Sequence, residues 1–175
     1  AALRTEKKAE AYTLYAALEH SNNREYKLAG LPFLAAQDFA DSNYALARER
    51  YDRFARLAES KEQLLRARTG LMRCADRLGD DQALMEQSTA VLNMDQVSEN
   101  LRNEAKRYQA MVYFRQEAYN QSFLLFSEVQ KATAGATKAE AYYHMALIRQ
   151  KQEEYDSSNT LINQIKQELQ KKLII

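Results

Sequence analysis

The stretch KAEAYYHMALIRQKQEEYDSSNTLINQI, residues 138–165, decides the fold of this chain. Apolar residues recur at helical spacing on both sides of the polar segment QKQEEYD, and this pattern predicts a helix, a short bend and a second helix. The whole chain of 175 residues contains four Gly and one Pro, so few residues would break a helix. Strand signals are nearly absent. The sequence therefore predicts an all-α fold.

The same two-helix unit recurs along the chain. Tyr155 opens its second helix, and equivalent positions lie 36, 38 and 37 residues apart at Tyr119, Asp81 and Tyr44. Small residues recur where two helices would cross closely, mainly nine residues before each of these positions. Those residues are Ala146, Ala110, Met72 and Ala35. A period in this range is typical of a helical solenoid, in which units stack because one pair cannot bury its own apolar face.

The prediction is a right-handed superhelical solenoid of about nine helices in antiparallel pairs. Residues 1–22 form a partial repeat, and full repeats cover about 28–60, 61–95, 98–134 and 137–172. Ser60 with Gln63 and Thr137 with Glu140 predict capping boxes, and Ser98 predicts an N-cap. Pro32 fits the first turn of a helix, although it could instead kink a longer one.

The unit resembles the tetratricopeptide repeat family. In AEAYYHMALIRQKQEEYDSSNTLI an aromatic residue stands early in the first helix, a small residue follows mid-helix, and an aromatic residue opens the second helix. Residues 103–129 fit the same pattern, whereas residues 65–91 depart from it and no closing proline is present. The resemblance implies a scaffold that binds a partner protein or peptide in a concave groove. Its divergent bacterial character favours the cell envelope over the cytoplasm.

Composition excludes several function classes. The 25 basic and 24 acidic residues nearly cancel, so no global charge attracts nucleic acid. No run approaches the ~18 apolar residues of a membrane span. Catalytic and metal-binding motifs are missing: His20 and His144 stand alone, and Cys74 has no positioned base beside it in the sequence. The chain is therefore predicted to be neither an enzyme nor a cofactor-binding protein.

The candidate binding residues come from the first helices, which line the groove in the resembled family. Arginines on these helices fall at same-face spacings, and their planar forks suit carboxylate recognition. An acidic or C-terminal peptide segment is thus the expected ligand, although such a stripe is also what an ordinary solvated helix face looks like. The predicted contact residues are Arg66, Arg73, Arg77, Arg107, Met111, Phe114, Arg115, Tyr143 and Lys151.

Alternative functions remain open at this stage. The chain begins partway through a unit and ends on Leu173, Ile174 and Ile175, so both ends are expected to continue or to be covered by a neighbour. A rigid structural or self-assembly arm is therefore one alternative. An accessory or sensory domain of a larger envelope or regulatory protein is another.

Overall fold

The structure is a computed structural model that describes the backbone of residues 2–170 and the side chains of residues 9–170. Within these residues the chain forms nine α-helices and no strand, which confirms the predicted all-α fold class. None of the helices combines the length and apolar character that a membrane crossing requires. The helices are α1 (Ala2–Glu19), α2 (Arg24–Ala40), α3 (Tyr44–Leu57), α4 (Lys61–Leu78), α5 (Asp81–Leu92), α6 (Glu99–Arg115), α7 (Tyr119–Ala132), α8 (Gly135–Lys151) and α9 (Tyr155–Gln170).

The chain folds as two compact units, Ala1–Met94 and Asp95–Ile175. In the first unit α1 to α5 pack in chain order, each against the next, and α2 also contacts α4. In the second unit α6 to α9 pack in chain order as well. Consecutive packing is what stacked helical pairs require. A single superhelix over residues 1–175, and its handedness, stay predictions.

The four equivalent positions of the repeat, which we call anchors, each begin a helix. Tyr44, Asp81, Tyr119 and Tyr155 are the first residues of α3, α5, α7 and α9. The residue two positions before each anchor lies in the left-handed region, with φ of 64° at Ser42, 69° at Gly79, 59° at Glu117 and 63° at Glu153.

The residue after each left-handed position donates its N–H to the carbonyl five residues back, at 2.8 to 3.0 Å. The donor and acceptor pairs are Asn43 and Asp38, Asp80 and Ala75, Ala118 and Tyr113, and Glu154 and Arg149. This closure ends a helix and turns the chain sharply. The same turn therefore joins the helices of all four pairs.

Equivalent residues also occupy equivalent places in the core. In the second unit the Ser122 hydroxyl donates to the Ala110 carbonyl at 2.8 Å, and the Ser158 hydroxyl donates to the Ala146 carbonyl at 3.0 Å. Both serines are buried. In the first unit the same two positions hold apolar pairs that are fully buried, namely Ala47 with Ala35 and Leu84 with Met72. The repeat thus fixes where two helices touch, while the chemistry of the contact varies.

Gly70 allows α4 to approach α3 closely. A Cβ atom added at Gly70 would lie 2.5 Å from three ring atoms of Tyr51. Tyr51 stands seven residues after the anchor Tyr44 and is buried by this contact. A glycine inside a helix ordinarily costs about 1 kcal/mol relative to alanine. The Tyr51 ring lies too close to α4 for any larger side chain at this position, and this explains why the helix contains a glycine here.

The helix starts are partly as predicted. The Ser60–Gln63 capping box and the Ser98 N-cap are both formed. The Thr137 box is not, because Thr137 lies inside α8, which begins at Gly135, and the N-cap residue Ala134 offers no side-chain bond. Instead, the buried carboxylate of Glu168 on α9 accepts from the Gly135 N–H at 3.1 Å. A residue distant in sequence therefore supplies the hydrogen bond that a local cap would otherwise provide.

Pro32 lies in the interior of α2, so the prediction that it occupies a first turn is wrong. The helix already begins at Arg24, where Asn23 accepts from the Glu25 N–H at 2.8 Å. Proline is normally costly inside a helix because it lacks an N–H and crowds the preceding turn. Here Pro32 is buried beside Leu31 and Leu34, and this packing offsets the lost hydrogen bond.

Candidate interaction surfaces

The helices α6 and α8 border one polar depression in the second unit. Its volume is about 510 Å3. Both helices are first helices of their pairs, the ones predicted to line a groove. The lining residues are Asn100, Asn103, Glu104, Arg107, Thr133, Thr137 and Glu140. We call this site the α6–α8 depression.

Arg107 is held in place at this depression. Its Nη1 donates to Glu140 Oε1 at 2.9 Å, which joins α6 to α8, and its guanidinium carbon lies 4.6 Å from the Tyr108 ring centroid. A guanidinium has five N–H donors, so the Glu140 contact leaves donors for a ligand. Glu104 and Glu140 outnumber Arg107, and the depression is therefore slightly acidic rather than basic.

Asn103 is the most unusual residue in the α6–α8 depression. Only 5% of its surface is exposed. Among the residues that the structure describes, no hydrogen-bond partner to its side-chain amide is found, and neither amide atom is fully enclosed. The amide therefore retains unused donor and acceptor capacity at the edge of the depression.

Arg107 is the one predicted contact residue that lines the α6–α8 depression within the described part of the chain. Met111 and Phe114 instead pack against the core formed by α6, α7 and α8. Tyr143 is about half exposed, and its ring lies 5.3 Å from the His144 ring. Arg115 and Lys151 are exposed at the ends of α6 and α8. Of the predicted contact residues in the second unit, Arg107 therefore lines the depression, whereas Met111 and Phe114 pack against the core.

The predicted contact residues of α4 lie in the first unit. Arg66, Arg73 and Arg77 are all exposed there. Arg66 borders a smaller depression of about 310 Å3 together with Leu28, Ala29 and Pro32 of α2. Arg73 and Arg77 do not line this depression. The α4 arginines therefore form an open basic face and not an enclosed site.

A buried ionic cluster links α1, α2 and α3, and no sequence pattern had indicated it. Arg50 donates to Glu19 through Nη2 at 2.9 Å and through Nε at 3.2 Å, and its Nη1 donates to Asp38 and to the Tyr12 hydroxyl. Arg53 pairs with the other oxygen of Glu19. Burial opposes the charge on Arg50, but these bonds outweigh it and raise the pKa of Arg50 further above its usual range. Every charge in the cluster has a partner, which is how buried ions are tolerated.

Cys74 is buried and His144 is partly buried. Burial raises the pKa of the Cys74 thiol to about 12, although Arg48 lowers it slightly. His144 stacks on Phe126 with ring centroids 4.7 Å apart, and burial lowers the pKa of His144. Among the described residues no His, Cys, Asp and Glu side chains cluster closely enough to hold a metal ion.

Besides Arg107, six residues that were not among the predicted contact residues line the depression: Asn100, Asn103, Glu104, Thr133, Thr137 and Glu140. Asn100 and Asn103 precede Arg107 by seven and four residues, so they share its helical face. Extending that face one turn toward the start of α6 would have included both. Thr133 and Thr137 adjoin the start of α8, where the mistaken capping box placed the helix boundary three residues too late.

Comparison with known proteins leaves the identity open. No protein-family model matches the chain, and no curated protein matches it. The resemblance to tetratricopeptide repeats therefore stays a prediction from the sequence, and a functional proposal has to start from the surfaces described above.

Proposed function

We propose that this chain is a protein-interaction module that binds an extended segment of a partner protein on the exposed faces of its first helices. The principal site in this proposal is the α6–α8 depression. The observation that supports it is the Asn103 amide, which is nearly buried and yet has no partner among the described residues. An extended peptide backbone offers one N–H and one C=O at each residue, and a side-chain amide can accept from the first and donate to the second.

The charge of the site favours an uncharged polar stretch over an acidic one at this place. Arg107 is engaged by Glu140, and Glu104 adds a second carboxylate to the lining. The expected preference for acidic or C-terminal groups belongs instead to the open α4 face with Arg66, Arg73 and Arg77. We therefore assign backbone recognition to the α6–α8 depression and, separately, recognition of carboxylate groups to the α4 face.

This function needs no bond-making chemistry, cofactor or nucleic acid. A stiff helical surface loses little conformational freedom when it binds, and this preorganisation is the source of affinity in the proposal. The alternative of a self-assembly arm is supported by a separate observation on α9, which is taken up below.

The test uses the Asn103→Leu variant. Random twelve-residue peptides are selected by display on the wild-type chain, and the enriched peptides are measured by fluorescence anisotropy. We expect Asn103→Leu to weaken their binding about tenfold, the effect of losing one to two hydrogen bonds. The same variant should unfold at an equal or higher temperature, because leucine leaves no buried amide unpaired.

The matched control is Asn163→Leu, an exposed asparagine on α9 that does not line the α6–α8 depression. It should leave peptide affinity unchanged. Equal binding by wild type and Asn103→Leu would contradict the proposed site. A clear loss of thermal stability in Asn103→Leu would instead give Asn103 a structural role, and the proposal would lose its main support.

A further inference from the structure

Helix α9 carries an exposed apolar stripe along its length. Tyr155, Ile162 and Leu169 are 59%, 41% and 46% exposed, and they follow one another at intervals of seven residues. Seven residues are close to two helical turns, so the three side chains lie in a row on one side of the helix. We call this row the α9 stripe.

On two other second helices, α7 and α3, the position equivalent to Ile162 is covered by the helix that follows. Phe126, which corresponds to Ile162, is fully buried and stacks on His144 of α8. Tyr51, which also corresponds to Ile162, is buried beneath Gly70 of α4. The centre of the α9 stripe, Ile162, thus lies where another helix packs in these two pairs.

The neighbouring residues restrict what fits the stripe. Asn159, Asn163 and Lys166 are exposed beside it, so the apolar surface is one row wide. A row with one apolar residue per heptad is narrower than the two-position seam of a coiled coil, so it suits a limited contact with one further helix and not burial inside a core.

The charges near the two ends of α9 have opposite sign. Glu153, Glu154 and Asp156 surround its start and border a depression of about 400 Å3 with Tyr155 and Ser157. Lys166 is an exposed basic residue toward its end. An antiparallel copy of α9 would place Lys166 of one chain beside the acidic start of the other, whereas a parallel copy would place the two acidic starts together.

We propose that the α9 stripe pairs with the α9 stripe of a second copy of this chain, antiparallel about a twofold axis at Ile162. Ile162 then contacts its own counterpart, and Tyr155 contacts Leu169 of the other copy. A twofold contact is self-complementary and closes after two chains. Three side chains from each copy bury less than the ~1,000 Å2 expected of a stable interface, so the dimer is weak and depends on concentration.

Cysteine cross-linking tests both the partner and the register. Cys74 is buried and its pKa is raised, so the wild-type chain should not cross-link under mild oxidation. We expect Ile162→Cys to form a disulfide-linked dimer at least tenfold faster than Leu124→Cys. Leu124 is an exposed residue of α7 and measures random collision.

The ends of the stripe distinguish the two orientations. In the antiparallel pair the two Tyr155 residues are about 21 Å apart along the axis, from fourteen residues at about 1.5 Å each. Tyr155→Cys should therefore cross-link at the collision rate by itself and rapidly when mixed with Leu169→Cys.

Rapid dimers from Tyr155→Cys alone would indicate a parallel pair and overturn the proposal. Collision-rate cross-linking at all three positions would mean that a different molecule, or solvent alone, faces the stripe, and would overturn it too. Sedimentation of Ile162→Glu and Leu124→Glu provides an independent measurement. The first should reduce self-association at least tenfold and the second should not, and equal self-association of both variants would also contradict the pair.

Discussion

Two buried glycines differ in how closely a neighbouring tyrosine packs against them. At Gly70 an added Cβ would overlap the Tyr51 ring, whereas at Gly30 the nearest atoms, those of Tyr15, are 3.5 Å away. Both glycines lie inside helices, α4 and α2. Both glycines therefore carry the stability cost of a glycine inside a helix, but only Gly70 has no room for a methyl side chain.

Replacing each of these glycines with alanine should affect the free energy of unfolding differently. Gly70→Ala should lower the free energy of unfolding by about 1–3 kcal/mol, the usual cost of overpacking, despite alanine's better helix propensity. Gly30→Ala should leave it unchanged or raise it by up to about 1 kcal/mol. Urea unfolding followed by circular dichroism measures both. A stabilising Gly70→Ala would mean that Tyr51 moves aside at little cost.

His144 makes stability depend on pH. Burial is the main cause that lowers its pKa below the ordinary 6.5; Arg107 acts in the same direction and Glu140 opposes it. Its ring faces Phe126 of α7, Phe114 of α6 and its neighbour Tyr143, and within the described residues its Nδ1 is enclosed without a hydrogen-bond partner.

The sign follows from which state binds the proton first. As pH falls through 6.5 the unfolded chain takes up a proton that folded His144 resists, so stability present above pH 6.5 is lost, by at most about 1.4 kcal/mol per pH unit. His144→Phe keeps a ring on Phe126 and should lose less stability than wild type between pH 7 and pH 5. His20→Gln, at an exposed site, should behave as wild type. Parallel pH curves for wild type and His144→Phe would contradict this account.

At the scale of elements, the turn inside each helical pair is the most uniform feature. Gly79 and Glu117 occupy the same left-handed position in two of the four turns. A Cβ at Gly79 would meet nothing within 4 Å, so only the backbone conformation distinguishes glycine from other residues there. Non-glycine residues in this conformation cost about 1–2 kcal/mol.

Exchanging the residue type should therefore act in opposite directions at two equivalent turns. Gly79→Ala should lower the free energy of unfolding by about 1 kcal/mol through backbone strain alone. Glu117→Gly should raise it by about 0.5 kcal/mol, because the greater freedom of glycine in the unfolded chain offsets part of the relief. Chemical denaturation of both variants tests this. Effects of the same sign would show that the side chains, and not the turn, determine stability at these positions.

For the molecule as a whole, repetition explains how each unit is built. A helix, a left-handed residue and a second helix recur four times, and in three of the four pairs the two helices touch at the same two positions. Within each unit, the later pair covers the apolar face of the one before it, as Phe126 is covered by α8 and Tyr51 by α4. The proposed binding site and the proposed pairing site lie on faces that are left uncovered.

The sequence by itself determined the helices, the starts of the four second helices and the residues at which the pairs cross. These features depend on periodicity and on local caps, which interactions between near neighbours control. The start of α8 was wrong because Glu168, which lies 33 residues beyond Gly135, supplies its cap. Pro32 was misplaced because tertiary packing outweighs a local helix breaker.

Only the tertiary structure decided which polar residues are satisfied. Glu19, Asp38 and Arg50 look like ordinary surface charges in the sequence, yet folding buries them in one cluster, which Arg53 completes to neutrality. Asn103 looks equally ordinary, yet it is buried without a partner among the described residues. Whether a donor meets an acceptor depends on the positions of several helices at once, and no local pattern encodes those positions.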